Sequence, residues 1–174
     1  MELESLEKVK RDAEAALQAL PIRNLYTYDH PPLLEEALNQ TKERLMIISP
    51  WIMANVVDKT FLEKLEALLK KSVAVFIGYG IKKQPTGRLD AEDQAARDEL
   101  AQLAGRYSNF HFKRLGDTHA KILIKDHDFS VTSSFNWLSF KGDPNRTFRD
   151  EQGLKVQDKN FIEQKFTELL PRFS

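Results

Sequence analysis

Residues 119–136, HAKILIKDHDFSVTSSFN, hold the side chains in this sequence whose types and spacing could do chemistry. His119 and Lys121 are two apart, so on an extended strand they face the same way, while Ala120, Ile122 and Ile124 face the other. One face then carries a nucleophile-capable imidazole beside a fixed cation, and the opposite face is apolar enough to seat on a core. Asp126-His127-Asp128 reads as a sharp polar turn. It would fold the chain back into a second run, 129–132, leading to Ser134 and Asn136, again two apart. A hydroxyl and an amide thus return towards an imidazole and an ammonium.

Such a set needs elements to position it. Residues 45–49 (LMIIS) and 73–77 (VAVFI) are continuous apolar runs of strand length, the pattern of strands covered on both faces. Asp58 is placed to cap a helix over 59–70, in which Phe61, Leu62, Leu65, Leu68 and Leu69 make one stripe. Upstream, residues 26–30 read as extended, and Pro31-Pro32 opens a helix over 33–42. His30, beside two prolines, reads as a solvated or capping residue. Downstream, the pattern predicts a helix over 91–104 stopped by Gly105 and strands over 109–115 and 153–156. A closing helix capped by Asp158 would bury Phe161, Ile162, Phe166, Leu169 and Leu170.

This alternation predicts an α/β fold with a mixed, largely parallel sheet flanked by helices on both faces. Ligands of such sheets gather at the carboxyl ends of strands, where Trp51 and Tyr79 fall. Lys82, Lys83 and Arg88 then follow in a polar loop, and Lys141, Arg146 and Arg149 follow the Asn136 segment. These two clusters are candidates for contact with an anionic substrate. Residues 2–20 carry Leu3, Leu6, Val9, Ala13, Ala16, Leu17 and Leu20 at helical spacing, ended by Pro21. The expected division is an amphipathic helix over 1–21, packed on a domain over 22–174, with partner binding as its alternative role.

At 174 residues the chain is long enough for one domain with a real core. Its 26 basic and 26 acidic residues cancel, which argues against a basic nucleic-acid-coating protein and leaves any phosphate affinity to local patches. The absence of cysteine removes disulfides, thiolate metal sites and cysteine nucleophiles together. No signal peptide is evident, and no apolar run approaches the roughly 18 residues needed to span a bilayer. A soluble, cytoplasmic protein is expected.

His119-x-Lys121, four residues, Asp126, six residues, then Ser133-Ser134-Phe135-Asn136 resembles the H-x-K-x4-D-x6-G-S-x-N signature of the phospholipase D superfamily. Ser133 stands where that family usually has glycine. Residues 151–156, EQGLKV, are similar to the glutamate-plus-strand segment of the small bacterial endonucleases in the superfamily, and the likeness extends over about residues 24–170. The resemblance implies the phospholipase D-like phosphodiesterase fold and metal-independent hydrolysis through a phosphohistidine, with no cofactor.

That chemistry requires a nucleophile, an acid for the leaving alkoxide, and cations or amides for the phosphate oxygens. Two imidazoles are needed, and the chain carries one signature. His111-Phe112-Lys113 does not supply another, because Asp117 falls one residue too close and no S-x-N follows before the true motif. A two-fold homodimer is therefore expected, with His119 of each subunit facing the other; single-signature members of the superfamily form such dimers. His119 would be nucleophile in one subunit and general acid in the other. Lys121 and Asn136 would hold non-bridging oxygens, and Ser134 would donate to the phosphate or to Asp126, which mainly holds the turn. Glu151 would accept from the far nitrogen of His119.

The expected substrate is nucleic acid, DNA favoured over RNA, with Trp51 and Tyr79 stacking on bases. The chain could serve as a module of a larger DNA-processing or defence protein, joined through residues 1–20. The alternatives are a catalytically silent nucleic-acid-binding module and a lipid phosphodiesterase.

Overall fold

The two apolar runs become the middle of a sheet. In the computed structural model, which describes residues 2–18, 21–80, 91–145 and 149–174, the strands are β1 (Ile22–Tyr26), β2 (Arg44–Ser49), β3 (Ala74–Tyr79), β4 (Phe110–Arg114), β5 (Ile122–Lys125), β6 (Phe129–Ser133) and β7 (Gln152–Val156). The helices are α1 (Glu2–Gln18), α2 (His30–Gln40), α3 (Lys59–Lys70), α4 (Ala91–Arg106) and α5 (Lys159–Leu169). Alternate residues of β2 feed two separate cores. Leu45 and Ile47 join Val75 and Ile77 beneath α2, α3 and α4. Met46 and Ile48 join Phe76, Ile122 and Ile124 beneath Ile162, Phe166 and Leu169 of α5. Each fully buried aliphatic or aromatic side chain here contributes about 1.5–3 kcal/mol, so the paired layers hold the sheet from both sides.

The seven strands lie in the order β1-β7-β6-β5-β2-β3-β4. The sheet is mixed, as expected, and five of the seven strands run one way, with β5 and β7 opposed. Only β2–β3 and β3–β4 pair in parallel, a smaller parallel block than the order of elements suggests. The reason is local. The three-residue turn 126–128 is too short for a crossover and forces β6 back antiparallel on β5.

Asp126 holds that turn. It sits at φ 47°, a left-handed conformation that aspartate tolerates. Its carboxylate accepts the backbone N–H groups of Lys42 (3.0 Å), Glu43 (2.8 Å) and Arg44 (3.0 Å), and its own N–H donates to the Arg44 carbonyl at 2.9 Å. The hairpin is thereby pinned to the entry of β2. Burial alone would raise this carboxyl, but the three amides, assisted by Lys125, outweigh it and hold the group below its ordinary value.

Several expectations are corrected. The first strand ends at Tyr26 and a 3-10 turn, Thr27–Asp29, leads into α2, so His30 begins a helix and is fully buried instead of solvated. Gly105 lies inside the last turn of α4, which runs on to Arg106. Asp58 and Asp158 cap α3 and α5 as read, accepting from Phe61 and Phe161 N–H. Phe161 and Leu170, however, are exposed, because α5 turns only Ile162, Phe166 and Leu169 to the sheet. The described side chains of α1, residues 5–16, are all exposed, Leu6 and Val9 of the expected stripe among them. No helix among the described residues is long and apolar enough to cross a membrane.

Replacing Asp126 by alanine should lower the unfolding free energy at neutral pH by about 3 kcal/mol, since three amides lose a charged acceptor. Because the folded carboxyl lies below its unfolded value, its contribution is present above pH about 4 and is lost on further acidification. Denaturant titrations at pH 7 and pH 3 should therefore show a smaller acid loss in the variant than in the wild type. Equal losses would contradict the assignment.

Candidate active site

Because β5 and β7 run against the other strands, residues just before them meet residues just after β2, β3 and β6 at one end of the sheet. His119 and Lys121 precede β5, Glu151 precedes β7, Ser134 and Asn136 follow β6, and Trp51 follows β2. The segments are stitched together. Ser133 N–H donates to the Lys121 carbonyl at 3.2 Å and Ser134 N–H to the Gln152 carbonyl at 2.9 Å. Gly80 N–H donates to the Pro50 carbonyl at 3.1 Å, and Thr118 N–H to the Gly80 carbonyl at 2.7 Å, which delivers the chain to His119. Gly80 has φ +124°, and a Cβ there would stand 2.8 Å from the Gly116 carbonyl, so glycine is required.

Neither His119 nor Lys121 lies on a strand, so strand alternation is not what brings them together. The lysine folds back instead. Its amine donates to the His119 carbonyl at 2.8 Å and lies 3.0 Å from the ring Nδ1, while Trp51 meets the same ring edge-on at 6.1 Å. Lys121 is only 7% exposed. Burial pushes its amine below the ordinary lysine value, and the Glu151 carboxylate opposes part of that shift.

Glu151, also buried, accepts a hydrogen bond from the Ser134 hydroxyl, which in turn accepts from Gln152 N–H at 3.1 Å. No hydrogen bond joins Glu151 to His119 among the described residues, contrary to expectation. Asp126 stands beyond the far end of β5, a strand roughly 13 Å long, so it is neither a partner of Ser134 nor part of the site. Asn136 is buried, and its carbonyl accepts from Ser139 and Phe140 N–H, which fixes the turn that carries its amide. Its Oδ1 and the Trp51 Nε1 are buried without hydrogen-bond partners among the described residues.

Other candidates fall elsewhere. Tyr79, partly buried, stacks on Phe112 at 4.9 Å and has the Arg97 guanidinium over its ring at 5.4 Å. Arg149 lies over Phe140 at 4.8 Å. Lys82, Lys83, Arg88 and Arg146 lie outside the described residues. His111 stacks on Phe76, and His127 sits at the opposite end of the sheet against Glu163. A groove of about 710 Å³ between α2, α3 and the 135–141 segment contains none of His119, Lys121, Asn136 or Glu151. Among the described residues no group of three or more His, Asp or Glu side chains could hold a metal ion.

Ser133, the departure from the signature, has a structural counterpart. It pairs across the ladder with Gly153, and a Cβ on Gly153 would meet the Ser133 Cβ at 2.6 Å and the His30 Nε2 at 2.9 Å. The missing side chain opposite makes room for the serine, whose Oγ accepts Phe135 N–H at 3.0 Å and so shapes the approach to Asn136.

A family model described as cardiolipin synthase, PLD-like domain, matches residues 34–169. Among solved structures, the chain is similar to Nuc, a phospholipase D family member from Salmonella typhimurium, with 16% identity over 87% of this chain and 92% of that one, TM-score 0.61. It is similar to NucT from Helicobacter pylori, with 14% identity over 87% and 95%, TM-score 0.60. TrmBL2, an archaeal chromatin protein described as having a novel mode of DNA binding, aligns at 12% identity over 98% of this chain and 63% of its own, TM-score 0.57. No curated protein matches the sequence.

The Gly153→Ala variant should lose about 1–3 kcal/mol by overpacking, and adding Ser133→Gly should recover a measurable part of it. Strict additivity in thermal melts would refute the compensation.

Proposed function

This chain belongs to the phospholipase D-like family, and from that premise we propose that it is a metal-independent phosphodiesterase that cleaves nucleic acid in a homodimer-shared site. The observation that carries this reading is the fate of the histidines. The sequence has four, and three are committed elsewhere: His30 faces backbone carbonyls in the core, His111 stacks on Phe76, and His127 pairs with Glu163 at the far end. Only His119 stands with Lys121 and Asn136 at the strand ends. A reaction that needs two imidazoles then needs two chains.

In the proposed reaction His119 Nε2 attacks phosphorus, forming a P–N bond as the P–O bond to the leaving group breaks. His119 of the partner subunit gives its proton to the departing alkoxide and then takes one from water, which attacks phosphorus and frees the first imidazole. Lys121 shares its position with the His119 ring, so an oxygen of the attacked phosphate lies within its reach. The Asn136 amide supplies a neutral donor. Glu151 acts through Lys121 and Ser134, as a charge that keeps a buried ammonium protonated.

Nucleic acid is preferred over lipid because Trp51, partly exposed, stands beside His119 as a stacking surface. The near-complete coverage of Nuc and NucT supports a phospholipase D-like catalytic domain over 22–174. The likeness to TrmBL2 favours the silent DNA-binding alternative, and the wording of the family description favours lipid. Incubation with DNA and with phospholipid vesicles, each in EDTA, separates the three.

DNA should be cleaved in EDTA, with at least a 10³-fold loss in His119→Ala, on the order expected for removing a nucleophile. In dimers made by co-expression, one H119A subunit should inactivate the shared site, so activity should fall as the square of the wild-type fraction. A linear fall would refute sharing, and cleavage of vesicles alone would refute the substrate.

A further inference from the structure

We infer that Thr27 and His30 are positioning residues for the site, forming a clamp that sets the spacing between its β6 arm, carrying Asn136, and its β7 arm, carrying Glu151. The two arms arrive from opposite strand ends, and the five residues from Tyr26 to His30 touch both. The Thr27 hydroxyl is buried and fully used: it donates to the Arg149 carbonyl at 2.7 Å and accepts Glu151 N–H at 3.0 Å. It therefore fixes the backbone from which the Glu151 carboxylate projects.

His30 secures the other arm. Its Nδ1 lies 2.8 Å from the Tyr26 carbonyl and 3.3 Å from the Thr27 carbonyl. Carbonyls only accept, so Nδ1 carries the proton and the ring is locked to the turn. The ring then stacks on Phe135 at 4.7 Å and 6°, between the two working residues Ser134 and Asn136. Its Nε2 is a buried acceptor with no partner among the described residues, pressed towards the bare Cα of Gly153. Burial keeps the imidazole below its ordinary value, hence neutral, despite the nearby Glu151 charge. An unpaired polar nitrogen costs stability here, and a phenyl ring would avoid that cost; what the histidine adds is the Nδ1 tether.

This inference deepens the phosphodiesterase reading and rests on it for its kinetic consequence, but its geometric core does not. Thr27→Val removes the hydroxyl at nearly constant shape, and Thr27→Ser restores it. If the clamp places Glu151, the valine variant should titrate the Lys121 amine, followed by NMR, at a lower pH than wild type, because the carboxylate that supports the ammonium has moved. The serine variant should titrate as wild type does. On DNA, kcat should fall about tenfold in the valine variant with KM within twofold, and the serine variant should recover it. His30→Phe, which keeps the stack and loses the tether, should show an intermediate loss. A Lys121 titration unchanged in T27V, with melting temperature lowered equally in T27V and T27S, would overturn the clamp. If no substrate is cleaved by wild type, the function fails while the Lys121 titration still decides the clamp.

Discussion

A four-residue strand that runs against both of its neighbours sets where the other parts of the site can be. β5 lies antiparallel between β2 and β6, with Leu123 in one core and Ile122 and Ile124 in the other. Its amino end therefore opens where β2 and β6 finish, and β7 repeats the reversal one strand further on. Imidazole and ammonium come from a strand entry, hydroxyl and amide from a strand exit, and the carboxylate from another entry. At the other end of β5, the Asp126 carboxylate ties the hairpin to the start of β2 by accepting hydrogen bonds from three backbone N–H groups. The strand is held at one end so that the chemistry can be offered at the other.

The electrostatic design at that end is economical. Lys121 is buried, which weakens its hold on a proton, and the Glu151 carboxylate supports the charged form. Ser134 passes a hydrogen bond from Gln152 N–H to that carboxylate. A cation kept in a low-dielectric spot with its counter-charge at a distance is pre-organised to meet an anion without a large solvent rearrangement. Thr27 and His30, both buried, stiffen this arrangement from behind.

Much of this was legible in the sequence, for physical reasons that can be named. The spacing from His119 to Asn136 is a local hairpin, and local patterns survive folding. The apolar runs at 45–49 and 73–77 announced buried strands, and the Asp58 and Asp158 caps were read correctly because capping is a contact between near neighbours. Most of what failed involved partners distant in sequence, although His119 and Lys121, two apart, also proved to lie off the strand. Thr27 and Glu151 are 124 residues apart, and Ser133 and Gly153 meet only across a ladder. Ser134 found Glu151 instead of Asp126 because side chains at opposite ends of a strand cannot touch. His30 looked like a loop residue beside prolines and proved to be a core ring. Phe161 was assigned inward from its periodicity, yet α5 turns Ile162, Phe166 and Leu169 to the sheet and leaves Phe161 exposed. The helical stripe of α1 was legible as a stripe, whereas the exposure of its described part, residues 5–16, was not.

The account stands on His119 becoming covalently phosphorylated in one subunit while its twin serves as acid. Wild-type protein should be mixed with end-labelled DNA in EDTA, quenched in alkaline denaturant to preserve a phosphoramidate, digested and sequenced by mass spectrometry. The expected result is the DNA strand joined through its phosphate to His119, seen as label on the protein and as a nucleotidyl adduct on that residue, at no more than one adduct for every two chains. Label on another residue, one adduct per chain, or an adduct that forms only with added divalent metal would contradict it.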